Sequence, residues 1–162
     1  MPRIMKRVYL ETSVVSYLTA LPSRDVVVVG NQQVTRDWWD ERARFELFVS
    51  DAVLQEASRG DPKAAARRLE SIDGLPVLSP VPEAMTLARA ILDSAAMPEK
   101  AALDALHVAL ATVHGMDFLL TWNCAHIANA TIRPQLDELS WKSGYRPPII
   151  CTPLELQGSD AP

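Results

Sequence analysis

Three acids and an amide stand in places where their chemistry needs explaining: Glu11, Glu56, Asp104 and Asn123. Asp104 lies within Ala101–His114, a run of Ala, Leu and Val with almost no polar face, which predicts a helix buried on most sides. Counted from the break at Met97-Pro98-Glu99, Asp104 sits about two turns in, too deep for a first-turn helix-dipole position to explain it. A carboxylate buried without a partner costs several kcal/mol, so Asp104 must pair with a cation, bind a metal or face a solvent-filled cleft. Glu11 ends the apolar run Arg7-Val8-Tyr9-Leu10 and precedes Thr12-Ser13, which can cap a helix. An exposed acid and a site acid are both compatible with that place. Glu56 is carried on a short amphipathic helix, and Asn123 follows a strand where an N-cap belongs.

The elements that position these residues alternate along the chain. Strands are predicted at Arg7–Leu10, Phe45–Val49, Pro76–Leu78, Phe118–Trp122 and Ile149–Cys151. Between them fall helices at Thr12–Ala20, Ala52–Arg59, Lys63–Ile72, Pro82–Ala96, Ala101–His114 and Ile132–Lys142, with a short one opening at Asn123. Ser23–Arg44 is ambiguous, because Val26–Val29 favours a strand while Val34, Trp38, Arg42 and Phe45 keep a spacing of about four; we read one long helix. Such alternation is the pattern of an α/β fold with a parallel sheet of about five strands and helices on both faces. On that fold Glu11 and Asn123 follow strands at their C-terminal ends, Glu56 is on the helix after the second strand, and Asp104 is on the helix before Asn123's strand. These positions can converge on the edge where open parallel sheets bind ligands. Three converging carboxylates repel one another, and a hard divalent cation such as Mg2+ or Mn2+ relieves this.

Length allows one domain, read as residues 1–157 with a loose tail at 158–162. Sixteen Lys and Arg against 20 Asp and Glu leave a net charge of −4, which argues against holding nucleic acid by bulk electrostatics. Any such contact is local. Two basic clusters are available, Arg36, Arg42 and Arg44 beside Trp38-Trp39, and Arg59, Lys63, Arg67 and Arg68; solvated helix faces are the alternative for both. The tryptophans could stack bases, pack the core or line a partner's groove. Cys124 and Cys151 are in no C-x-x-C spacing and read as reduced structural thiols; Cys124, His107 and His126 match no standard zinc pattern. His107, one turn past Asp104, reads as a core histidine or an aid to substrate orientation. The first residues lack a secretory h-region and no run spans a membrane, so a cytoplasmic location is expected. Phosphate-loop, dinucleotide, zinc-peptidase and serine-hydrolase motifs do not occur.

Four segments, VYLETSVVS, VLQEASRG, LDALHVALA and FLLTWNCAHI, together resemble the PIN-domain family and, within it, the VapC-type ribonuclease toxins of toxin-antitoxin pairs. The resemblance runs from about Lys6 to Leu156 and is most specific in the third segment. It implies a three-layer α/β/α fold and hydrolysis of RNA phosphodiester bonds. It also implies an Mg2+ or Mn2+ site made by Glu11, Glu56 and Asp104 with Asn123 beside it, an antitoxin partner and a homodimer. The sequence departs from the family's pattern where Glu11 replaces the usual Asp, and where Asn123 and Ala125 stand at positions that are commonly acidic. A catalytically weakened PIN-like module that binds RNA or protein is the alternative reading. Another metal-dependent α/β hydrolase, acting on a small phosphate ester, is a third.

Overall fold

Leu10 ends its strand directly beside Leu120, and this junction of β1 (Lys6–Leu10) with β4 (Phe118–Leu120) is the centre of the molecule. The computed structural model describes residues 4–158, so most of the expected tail lies outside the described residues. Five strands form one sheet in the order β3 (Val77–Leu78), β2 (Phe45–Ser50), β1, β4, β5 (Ile149–Cys151), and every pairing is parallel. The chain first winds outward from β1 through β2 to β3, then crosses back to β4 and on to β5. The direction of winding therefore reverses between β1 and β4. At such a reversal the connections leave the strand ends in opposite directions and open a crevice.

Two sets of helices cover the sheet. α1 (Thr12–Thr19), α2 (Val26–Asp40), α3 (Asp51–Ala57) and α4 (Pro62–Ser71) pack on one another, as do α5 (Pro82–Asp93), α6 (Ala102–Val113) and α7 (Arg133–Lys142). Right-handed crossovers place these groups on opposite faces, giving three layers. Val8, Tyr9, Leu10, Leu119 and Leu120 are fully buried between them, consistent with strands covered on both sides. α3 and α6 meet around the end of the sheet, at the crevice.

Local chemistry explains where the elements differ from the sequence-based expectation. Ser23–Arg44 is not one helix: Asp25 caps Val27 and Val28 and starts α2 at Val26, and a separate 3-10 turn occupies Arg42–Arg44. The cap overrides the strand preference of four consecutive valines. α5 stops at Asp93, three residues early, and α6 begins only at Ala102 because Glu99–Ala101 forms a 3-10 turn. Gly115, at φ 70°, then supplies the left-handed residue that turns the chain from α6 toward β4. No helix starts at Asn123; the chain turns through residues 124–127 instead. No helix among the described residues is long and apolar enough to cross a membrane.

Candidate active site

Glu11 is the residue that joins the two central strands at the crevice. Its backbone N–H donates to Leu120 O at 3.0 Å. Its carboxylate curls back over the start of α1, accepting from Ser13 N at 2.5 Å and Ser13 Oγ at 2.9 Å, and accepts from Thr121 Oγ1 at 2.8 Å. Those two hydroxyls receive the N–H groups that emerge beyond β4: Trp122 N donates to Ser13 Oγ at 2.8 Å and Asn123 N to Thr121 Oγ1 at 2.9 Å. Glu11, 4% exposed, is thus the acceptor at the end of both relays.

Glu56 and Asp104 are each paired with a histidine. His107 Nε2 lies 2.5 Å from Glu56 Oε1, which also accepts from Thr12 Oγ1 at 2.9 Å. His126 Nδ1 lies 2.9 Å from Asp104 Oδ2. In both acids the second oxygen, Glu56 Oε2 and Asp104 Oδ1, accepts no hydrogen bond among the described residues. The side chains of Glu56 and Asp104 remain 27% and 21% exposed. Asp104 and His107 are three residues apart on α6 and so share a face, and the bond from His107 ties Glu56 of α3 to that helix.

His107 is locked from behind. Val53 N donates to Ser50 Oγ at 3.3 Å, Ser50 Oγ and Tyr9 Oη are 2.7 Å apart, and Tyr9 Oη is 2.6 Å from His107 Nδ1. One assignment uses each buried hydroxyl proton once: Ser50 donates to Tyr9, Tyr9 to Nδ1, and the imidazole Nε2–H to Glu56. The polar chain is complete in the core, where an orphaned donor would be costly. Burial acts to raise the Glu56 carboxyl, but the hydrogen bonds from His107 and the Thr12 hydroxyl, with the charge of Arg59, outweigh it and hold the group below its ordinary range. Burial also pushes the Tyr9 phenol far above its ordinary value.

The four sequence-predicted residues all reach the crevice, with different tasks. Asp104 is in the first turn of α6 rather than two turns in, because the 3-10 turn after Pro98 delays the helix; its charge faces the positive end of the helix dipole. Asn123 Oδ1 accepts from His126 N at 3.0 Å, the bond of an N-cap, which here closes a single turn through residues 124–127 and opens no full helix. That turn delivers the His126 ring to Asp104. Sequence reasoning assigned His126 no role in this crevice; the Asn-x-x-His spacing places its backbone N–H where a cap by Asn123 needs it, but nothing local points its ring at Asp104. His107, read as core histidine or substrate aid, is a buried brace for Glu56. Trp38 is fully buried and stacks with Phe45, so it packs the core and does not offer a face to a base. Arg67 and Arg68 donate to carbonyls at helix ends, Thr19 O and Ala57 O, and do not form an open basic patch.

The chemistry of the donors decides what the crevice can hold. No group of three or more His, Cys, Asp or Glu side chains gathers as a metal cage among the described residues. Glu56 Oε2 and Asp104 Oδ1 are left without a hydrogen bond among the described residues, which suits a hydrated Mg2+-type cation bound through one or two carboxylates and otherwise through water.

The PIN domain model matches residues 8–123, nearly three quarters of the chain, and the chain belongs to the PIN domain family. Among solved structures it is similar to VapC20 of Mycobacterium tuberculosis, a sarcin-ricin loop cleaving toxin, at 16% identity and a TM-score of 0.57 over 74% of this chain and 92% of that one. It is also similar to VapBC2 of Rickettsia felis, solved with a DNA fragment from its promoter, at 13% identity and a TM-score of 0.51 over 90% and 98%. At these identities the likeness establishes the fold. No curated protein sequence matches the chain.

Proposed function

We propose that the protein is a metal-dependent endoribonuclease and the toxin of a toxin-antitoxin pair. The observation that carries the reading is the pair of unshared oxygens, Glu56 Oε2 and Asp104 Oδ1, at the reversal point of a PIN-domain sheet. Those two residues would hold an Mg2+ or Mn2+ ion, with Asn123 beside them. When bound, such an ion neutralises a phosphate and lowers the pKa of an attacking water.

The chain's own groups do the rest. His107 and Thr12 hold one Glu56 oxygen, so the other is presented in a fixed direction. His126 does the same for Asp104. The Asn123 amide N–H groups make no hydrogen bond among the described residues, which suits donation to a water or a phosphate oxygen. Glu11 acts in this proposal through the strand ends it ties together. A second copy of the chain, an antitoxin and a cytoplasmic setting belong to the same reading, supported by the PIN family and the VapC-like fold.

The test is cleavage of a mixed, structured RNA pool by purified protein with Mg2+ or Mn2+, against EDTA and Asp104→Asn controls. Cleavage lost in both controls supports the reading. A folded, antitoxin-free protein that cleaves nothing refutes it and favours the second reading, a PIN-like binding module, which Asn123 and Ala125 at usually acidic positions motivate.

A further inference from the structure

Tyr17 and Trp122 stand beside the acids and take no part in the chemistry described above. Trp122 directly precedes Asn123 and is fixed at two polar points: its backbone N–H donates to Ser13 Oγ at 2.8 Å and its indole Nε1–H to Thr35 Oγ1 at 2.8 Å. Its ring lies against Tyr17, centroids 5.7 Å apart and planes inclined by 33°. Both residues are half-buried, and the Tyr17 hydroxyl is neither hydrogen-bonded nor enclosed among the described residues. Trp38, by contrast, is completely buried with its indole N–H unpaired. One tryptophan serves as filling. The other is held in one orientation against Tyr17 and stays half-buried.

Ser13 and Tyr17 are one turn apart on α1, so the aromatic pair continues the helix face that begins at the Glu11 cap. At the far end of α1, Arg36, the neighbour of Thr35 on α2, extends its guanidinium to within 3.5 Å of Ala20 O. Acids, aromatic pair and arginine therefore follow α1 from one end to the other. The order matters electrostatically. Beside Glu56 and Asp104 a polyanion is repelled, and a net charge of −4 offers no general attraction to offset this. Stacking on an aromatic face needs no charge and accepts any base, but it needs a base that is not already paired.

We propose that Tyr17 and Trp122 form a stacking shelf for an unpaired nucleobase of single-stranded RNA, with the adjoining phosphate directed toward Arg36. The shelf rests on the ribonuclease reading and narrows its substrate to RNA that is unpaired next to the cleaved bond. Rigid, pre-oriented rings lose little entropy when a base stacks, so the shelf contributes affinity at a site that charge alone cannot supply.

The experiment measures fluorescence anisotropy of a labelled short RNA strand with the Asp104→Asn protein in Mg2+, beside the matching duplex and strands carrying one abasic nucleotide at successive positions. The parent binds the single strand more tightly than the duplex, and Trp122→Leu and Tyr17→Leu each weaken it by about 5- to 100-fold. Trp122→Phe, which keeps a ring, stays within about fivefold. One abasic position costs the parent a similar factor and costs Trp122→Leu nothing. Because the abasic series uses the unaltered shelf, it does not depend on the Leu variants folding. A parent that binds single strands but has no sensitive position, or Leu variants that bind as the parent does, overturns the shelf and leaves the nuclease reading standing. A parent that binds no single-stranded RNA overturns both.

Discussion

His107 Nε2 sits 2.5 Å from Glu56 Oε1 while the opposite ring nitrogen, Nδ1, sits 2.6 Å from Tyr9 Oη, so an imidazole 1% exposed connects a buried strand to a crevice carboxylate. The connection runs through β1, α6 and α3, three elements far apart in sequence. It converts the packing of the core into the direction of one carboxylate oxygen.

Removing the middle of that relay has a defined cost. Tyr9→Phe keeps the ring but leaves His107 Nδ1 without a donor and Ser50 without its acceptor. Stability falls by about 1–3 kcal/mol, the penalty for unpaired buried polar groups. Urea denaturation followed by circular dichroism measures it, and an unchanged midpoint would show that the relay is dispensable.

Glu11 and Asp104 separate by readout. Glu11→Ala removes the acceptor shared by Ser13 and Thr121 and lowers stability by about 1–2 kcal/mol, the scale of a lost helix cap. Asp104→Asn reduces Mn2+ affinity by more than about tenfold, equivalent to about 1.4 kcal/mol, whereas Glu11→Gln changes it by less than that factor. Calorimetric Mn2+ titration makes the comparison, and a larger loss in Glu11→Gln than in Asp104→Asn would assign Glu11 to the cation.

Asn123→Asp restores a carboxylate where the family commonly has one. The capping bond to His126 N survives, since either side chain supplies the accepting oxygen. Affinity for Mn2+ increases, and cleavage of the RNA pool rises with it. Weaker binding in the same titration would place position 123 outside the cation's reach.

Acid exposes the Glu56 contribution. Its folded carboxyl lies below the ordinary value near 4.5, so the stability it contributes is complete above that pH and is lost as pH falls through the folded value. The difference in Tm between wild type and Glu56→Gln should therefore be constant at neutral pH and shrink only in acid, below about pH 4.5. A difference that begins to shrink well above that value would mean that the carboxyl is not held low.

The two thiols differ in reactivity. Cys124 is exposed, while burial pushes the Cys151 thiol up to about 12. At pH 8 a thiol-specific chromophore labels Cys124 quickly in the native protein and Cys151 only after denaturation. Equal rates in the native state would mean that β5 opens readily.

The order and spacing of the elements determined the parallel α/β class and carried Glu11, Glu56, Asp104 and Asn123 to one sheet edge, because hydrophobic periodicity and strand-helix alternation are local properties. Two boundaries near that edge were less legible. Pro98 marks a break, yet whether the next residues form an α-helix or a 3-10 turn depends on how they pack, and that choice put Asp104 in the first turn of α6. Asn123 makes the same capping bond to His126 N whether a helix or a single turn follows, and the chain's path from β4 selected the turn.

What each carboxylate does was decided only in the folded chain. Glu11 meets Thr121, Glu56 meets His107 and Asp104 meets His126 across 110, 51 and 22 residues respectively, separations that no local pattern records. Hydrogen bonding is short-ranged and directional, so which oxygen is engaged and which is left for a ligand follows from the tertiary placement of donors. The sequence determined where the acids stand, and packing decided which of their oxygens are free.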